Sequence, residues 1–234
     1  MARYAVARFD SPKVMVFYNS NSNYSNSLSE EFINELGRLN VVLPEDPDVD
    51  LSTWSENPQD WPEMADRVIS KARRNQANVF MLAISAGQLP KALEIVRLNQ
   101  REFPLLGGDD VYSPDTLVQG QDNALGMVVA VASDAEGSRF SERSSQLWGT
   151  ADVNWRTITA YDAVQALMRA IDGQEQPTRE GVQEELSSPN FSAPGAIDII
   201  RFREDGDYDG DAQLVEVQKD DEGRYYFRGI DNNK

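Results

Sequence analysis

No cysteine and no histidine occur among the 234 residues of the chain. These two absences exclude disulfide staples, Cys/His zinc sites, cysteine nucleophiles, Ser-His-Asp triads and imidazole proton relays, the commonest routes to chemistry near neutral pH. Positive charge is scarce as well: 22 Lys and Arg stand against 39 Asp and Glu, a net charge of −17. A surface of that sign repels phosphate backbones, which excludes nucleic acid as a partner and argues against adsorption to anionic lipid. Long apolar runs are missing. The strongest, Leu125 to Ser133, falls far short of the roughly 20 residues that span a bilayer. Met1 to Lys13 contains no apolar stretch of signal-peptide length, so the signal of any exported parent is expected to lie outside this chain. Neither a GxxxxGK[ST] phosphate loop nor a GxSxG nucleophile elbow is present.

What is present is an ordinary globular composition, 40% hydrophobic and 26% charged, enough for a substantial core. Lys13 to Asn19 (KVMVFYN) is apolar and rich in β-formers, and reads as a buried strand. The following SLSEEFINELGRLN reads as a helix with Ser27 or Ser29 as N-cap and Leu28, Phe32, Ile33, Leu36 and Leu39 at helical spacing. The alternation continues: strand VVLP, a Pro/Asp/Trp-rich loop, helix DWPEMADRVISKARRNQ, strand NVFMLAIS, helix QLPKALEIVRLNQ and strand FPLLGG. Such alternation predicts an α/β fold, a doubly wound, mainly parallel sheet with helices on both faces. Ligands of these sheets sit at the carboxyl ends of the strands, here the loops NSNSNYSNS, ISAGQ and GGDDVYS. Further on, GMVVAVAS reads as a strand, WRTITAYDAVQALMRAI as a helix and TREGVQEELSS as a short helix. AIDIIRFRE and AQLVEVQ read as strands flanking DGDYDGD, a C-terminal β-hairpin, before a final RYYFRGI.

Taken in order, VMVFYNSNSNYSNSLSEEFINELGRL, FPLLGGDDVYSPDTL, WRTITAYDAVQALMRAI, TREGVQEELSSPNF and IRFREDGDYDGDAQLVEV resemble the type I periplasmic solute-binding proteins of the branched-chain amino-acid and receptor ligand-binding kind, especially cyanobacterial members. The resemblance implies a second-lobe α/β domain over residues 1–126, a segment returning to the first lobe over 127–190, and C-terminal strands completing the second lobe over 191–234. It also implies a chain without most of the family's first lobe. The function implied is non-catalytic binding of a small polar ligand such as an amino acid or amide, with no cofactor, in the periplasm or another extracytoplasmic space. The partner would be a membrane permease, or a signalling domain if the parent is a receptor or kinase sensor.

By resemblance, Tyr24, Ser85 or its neighbour Ala86, and Asp109 face the ligand, with Asp109 pairing with a ligand ammonium. Each has a plainer reading: Asp109 as a turn aspartate bonding nearby amides, Tyr24 as a loop aromatic packed on the sheet edge. Asp109 and Asp110 are not expected to form a catalytic pair, because neighbours in extended chain point to opposite faces. A hydrolase using carboxylates alone remains the enzymatic alternative. Asp205, Asp207, Asp209 and Glu216 fit the spacing of a calcium loop, but their flanks alternate like strands rather than helices, so no tight metal site is expected. The apolar face of Ile158, Tyr161, Val164, Leu167, Met168 and Ile171 packs, in the resembling family, on the first-lobe sheet. In this chain it calls for another cover, and the region from Trp148 to Ile171 is expected to mediate a homodimer or another assembly.

Overall fold

A computed structural model describes residues 1–134, 138–149 and 153–230. Contacts divide the chain into two compact units: residues 1–131 with 214–234, and residues 132–213. These limits differ from boundaries after residues 126 and 190. The segment from Phe191 to Ile200 is grouped with the second unit because its apolar side chains, Phe191, Ala193 and Ile200, are buried against Ala166 and Ala170.

The first unit is built on a sheet in the order β2-β1-β3-β4-β5-β8-β9. Its parallel strands are β1 (Val14–Tyr18), β2 (Asp48–Asp50), β3 (Val79–Leu82), β4 (Leu105–Gly107) and β5 (Val128–Val131). An antiparallel pair, β8 (Gln213–Lys219) and β9 (Tyr225–Ile230), completes it. The helices are α1 (Ala2–Arg8), α2 (Asn23–Arg38), α3 (Trp61–Arg74), α4 (Leu89–Asn99) and α5 (Pro114–Gly120). Side chains alternate across a strand, and in β1 Val14 and Val16 on one face and Met15 and Phe17 on the other are fully buried. Val14 and Val16 join Val79 and Met81 under Phe32 and Leu36 of α2 and Ala2 and Ala5 of α1. Met15, Phe17 and Phe80 fall on the other face, where Phe17 meets Phe80 edge-on and Phe80 stacks on Phe103 at 4.5 Å. This two-sided burial is why the strands read as unbroken apolar runs.

Three local expectations are corrected. VVLP is not a strand; residues 48–50 take that place, pairing Val16 with Asp48 and Tyr18 with Asp50. The helix after β1 starts earlier than Ser27: Ser22 is the N-cap, accepting from the Ser25 amide. AIDIIRFRE and AQLVEVQ do not pair with each other. Gln213–Lys219 pairs with Tyr225–Ile230 across a turn at Asp220 to Arg224 that uses Gly223 at φ +84°. The acidic segment closes instead as a small hairpin, in which Arg203 N donates to Asp207 O at 2.8 Å and Phe202 bridges Tyr208.

The second unit holds α6 (Arg139–Trp148), α7 (Trp155–Asp172), α8 (Arg179–Leu186) and the pair β6 (Ala193–Pro194) and β7 (Ile199–Ile200). Its cores are small. One gathers Ala166, Ala170, Phe191, Ala193 and Ile200, the other Phe140 and Ile158. Of the six apolar residues expected on one face of α7, Ile158 is buried and Tyr161 partly so, while Val164, Leu167, Met168 and Ile171 are exposed. Within the Trp148 to Ile171 region, residues 150–152 lie outside the described residues.

Candidate ligand-binding site

Strand order makes β1 the turning point of the sheet, since β2 lies on one side of it and β3 on the other. In doubly wound sheets such a turning point is where ligands sit, at the carboxyl ends of the strands. Asn19, Ser85 and Gly108 follow the ends of β1, β3 and β4 and line that edge in the first unit.

Two of the expected site residues meet directly. Tyr24, in the first turn of α2, donates its hydroxyl proton to Asp109 Oδ1. Gly108 makes this approach feasible: a Cβ there would stand 2.4 Å from Leu28 Cδ2 and 3.0 Å from the Tyr24 hydroxyl. Partial desolvation, followed by the hydrogen bond to Asp109 and the charges of Asp109 and Asp110, raises the Tyr24 pKa above the ordinary phenol value. Asp109 to Val111 forms a 3-10 turn rather than extended chain. Asp110 turns elsewhere, its Oδ2 accepting from the Ala86 amide at 3.0 Å. Ser85 is tied to Asn19, whose Nδ2 lies 3.4 Å from Ser85 Oγ. Ala86 thus contributes its backbone, already engaged by Asp110, and Ser85 a hydroxyl within the same rim.

Several members of the rim were not singled out from the sequence. Asn19 is buried, and its backbone amide donates to Ser25 Oγ at 2.7 Å, while that hydroxyl donates to Ala83 O at 2.5 Å. Ser25 thereby joins the ends of β1 and β3 from within α2. Asp50 Oδ1 accepts from the amides of Ser20 at 3.1 Å and Ser52 at 2.9 Å. Burial pushes the Asp50 carboxyl up, but the hydrogen bonds from Ser20 and Ser52 outweigh it and hold the pKa below the ordinary aspartate value. The Ser/Asn density of NSNSNYSNS marked the loop; periodicity carried no information about which hydroxyl turns inward.

No group of three or more Asp or Glu side chains among the described residues is placed to hold a metal ion. Asp205 Oδ1 accepts from the Asp207 amide, Asp209 pairs with Arg203 at 3.5 Å, and Glu216 lies on β8, accepting from Gln218.

The profile of the periplasmic binding proteins matches residues 1–222. The chain belongs to that family. Its mostly parallel sheet with surrounding helices and a C-terminal antiparallel pair is the type I fold. A leucine-binding protein from Thermotoga maritima matches at TM-score 0.74 and 19% identity, over 97% of this chain and 63% of its own. A branched-chain amino-acid ABC transporter protein from Thermus thermophilus, with bound valine, matches at TM-score 0.68 and 17% identity, over 97% and 63%. A solute-binding protein from Rhodopseudomonas palustris, in complex with p-hydroxybenzoic acid, matches at 0.70 and 13%, over 98% and 62%. At such identities the likeness is one of fold, and this periplasmic binding protein chain spans about 63% of the first of these proteins. No curated protein matches it. No helix among the described residues is long and apolar enough to cross a membrane.

Proposed function

We propose that this chain is the ligand-binding part of a non-catalytic, extracytoplasmic solute-binding protein for a small amine-bearing ligand, an amino acid or amide. The supporting observation is the carboxylate of Asp109, held at the carboxyl end of β4 with the Tyr24 hydroxyl upon it. A hydroxyl donor and a carboxylate acceptor on one rim suit an ammonium, which donates to Asp109 and can bond the phenol oxygen. Ser85 and Ala86 stand on the neighbouring strand end as secondary contacts. The leucine and valine named for two matched proteins support an amino acid over other amines. Delivery to a membrane permease is the proposed use of the binding step, and the full-length parent is proposed to add the remainder of the family's fold. The chain alone is proposed to bind ligand poorly and to self-associate through the α7 face.

Calorimetric titration of the full-length parent with leucine tests the site. Asp109→Asn is expected to weaken binding by about 1.5–3 kcal/mol, the usual worth of a hydrogen bond to a charged group. Equal affinity in the two proteins would remove Asp109 from the site.

A further inference from the structure

Lys91 is a buried cation for which ligand binding as described gives no use. It lies in the first turn of α4 with only 4% of its surface exposed, and a lysine so placed persists only when its donors are satisfied. Its Nζ donates to the carbonyl oxygens of Leu51 and Trp54, each at 3.3 Å, and to Glu56 Oε1 at 3.1 Å. All three acceptors belong to one loop, residues 51–56, which leaves β2 at the carboxyl edge. The Glu56 side chain is 91% exposed, so solvent screens that ion pair. The two carbonyls are the buried polar ties between the loop and α4, beside the buried side chains of Leu51 and Trp54.

The beginning of the loop reaches the ligand rim. Asp50 accepts from the Ser20 and Ser52 amides, and the Ser20 and Ser52 hydroxyls are 3.0 Å apart. Ser20 follows Asn19, which reaches Ser85, and the next amide, Ala86, donates to Asp110. The polar contacts therefore run along the carboxyl edge from the loop to the turn that carries Asp109.

We propose that Lys91 is a positioning residue of the binding edge: its ammonium latches the 51–56 loop as the fixed wall beside β2 and, through Ser52 and Ser20, sets the position of Asn19 and Ser85. This role in ligand binding rests on the amine site proposed above; the latch itself is independent of it. Methionine at position 91 keeps the apolar stem and removes every donor. The Leu51 carbonyl then keeps only the Trp54 amide, at 3.3 Å, and the Trp54 carbonyl regains a donor by opening the loop to water.

Amide hydrogen exchange followed by NMR compares wild type, Lys91→Met and Val96→Ala, a truncation of a fully buried side chain on the same helix. Lys91→Met is expected to speed exchange at Ser20, Ser52 and Trp54 by about tenfold relative to the rest of the sheet, as local opening does. Val96→Ala is expected to lack that loop-specific effect. Unchanged exchange at Ser20 and Ser52, or the same pattern in Val96→Ala, overturns the latch. If Lys91→Met does not fold, Lys91→Arg carries the test, since a planar fork cannot aim at the three acceptors as an ammonium does. Smaller acceleration at the same amides is then expected, and none overturns the proposal. In the full-length parent, Lys91→Met is expected to weaken leucine about tenfold while Val96→Ala does not. Equal weakening by both, or by neither, removes the positioning role. A parent that binds no leucine in its wild-type form overturns the ligand assignment instead, with the latch still decided by exchange.

Discussion

Asp109 and Asp110 share a 3-10 turn yet serve different partners, a phenol and a backbone amide. The turn sends successive side chains in different directions, so the pair is divided between α2 and the end of β3. Tyr24 in turn is held back from ionisation by partial desolvation of its phenol and by the anion it contacts, although its side chain is 39% exposed. Its native pKa is raised, so its stabilising contribution is complete below the unfolded phenol value of about 10 and is lost as the pH rises above it. The expected outcome is that Tyr24→Phe leaves the tyrosinate absorbance change through pH 11 unaltered while flattening the alkaline loss of stability. A phenolate signal that disappears with Tyr24 in that range would contradict the hydrogen bond to Asp109 described. Ser25 offers a second check. Its hydroxyl satisfies the Asn19 amide and the Ala83 carbonyl in a site without solvent. Ser25→Ala is expected to cost about 1–3 kcal/mol in urea unfolding, the penalty for stranding buried polar groups; a loss below about 0.5 kcal/mol would mean that water or relaxation replaces it.

At the scale of elements, the long buried strands and amphipathic helices were legible because their patterns are dense: β1, β3, α3 and α4 lie within the segments predicted for them. The errors fell where burial does not follow pattern. VVLP is as apolar as a strand, yet the chain pairs through DVD, whose polar ends are tolerated on an edge strand. Ser27 and Ser29 fit a cap by type, but the helix runs back through NYS to Ser22, burying Ser25 and Ser29. Long-range pairing was least visible. Leu214 to Val217 alternates equally well with IDIIRF or YYFRGI, and nothing local selects the second. The corrected pairing bears on calcium: Asp205, Asp207 and Asp209 lie in one small hairpin, whereas Glu216 belongs to β8 in register with Arg228. An EF-hand needs its twelfth-position glutamate bidentate on the ion. The expected result of a calcium titration is no saturation near the micromolar range; tight binding abolished by Glu216→Gln would show that the loop rearranges around the ion.

The two units of the molecule are unequally finished. Among the described residues, nine of the 13 large apolar side chains that stand exposed belong to residues 132–213: Leu147, Trp148, Val164, Leu167, Met168, Ile171, Ile197, Ile199 and Tyr208. Four of them form a strip on α7, whose opposite side, Ala166 and Ala170, already packs on Phe191 and Ile200. The largest exposed patch on a soluble monomer is about 300–600 Å², and this strip is a natural seed for one that size. Two copies related by a two-fold axis can cover it with itself. The net charge of −17 opposes that approach, and screening falls to about 8 Å at physiological salt, so association is expected to strengthen from low to moderate ionic strength. Sedimentation over a wide concentration range should show a monomer–dimer equilibrium for this chain, and a monomer for the double variant Leu167→Glu, Met168→Glu. A full-length parent that covers α7 with its own remaining fold should be monomeric under the same conditions. A chain that stays strictly monomeric at high concentration in moderate salt would show that α7 has no self-complementary face, and the double variant would then gain solubility without any change in mass.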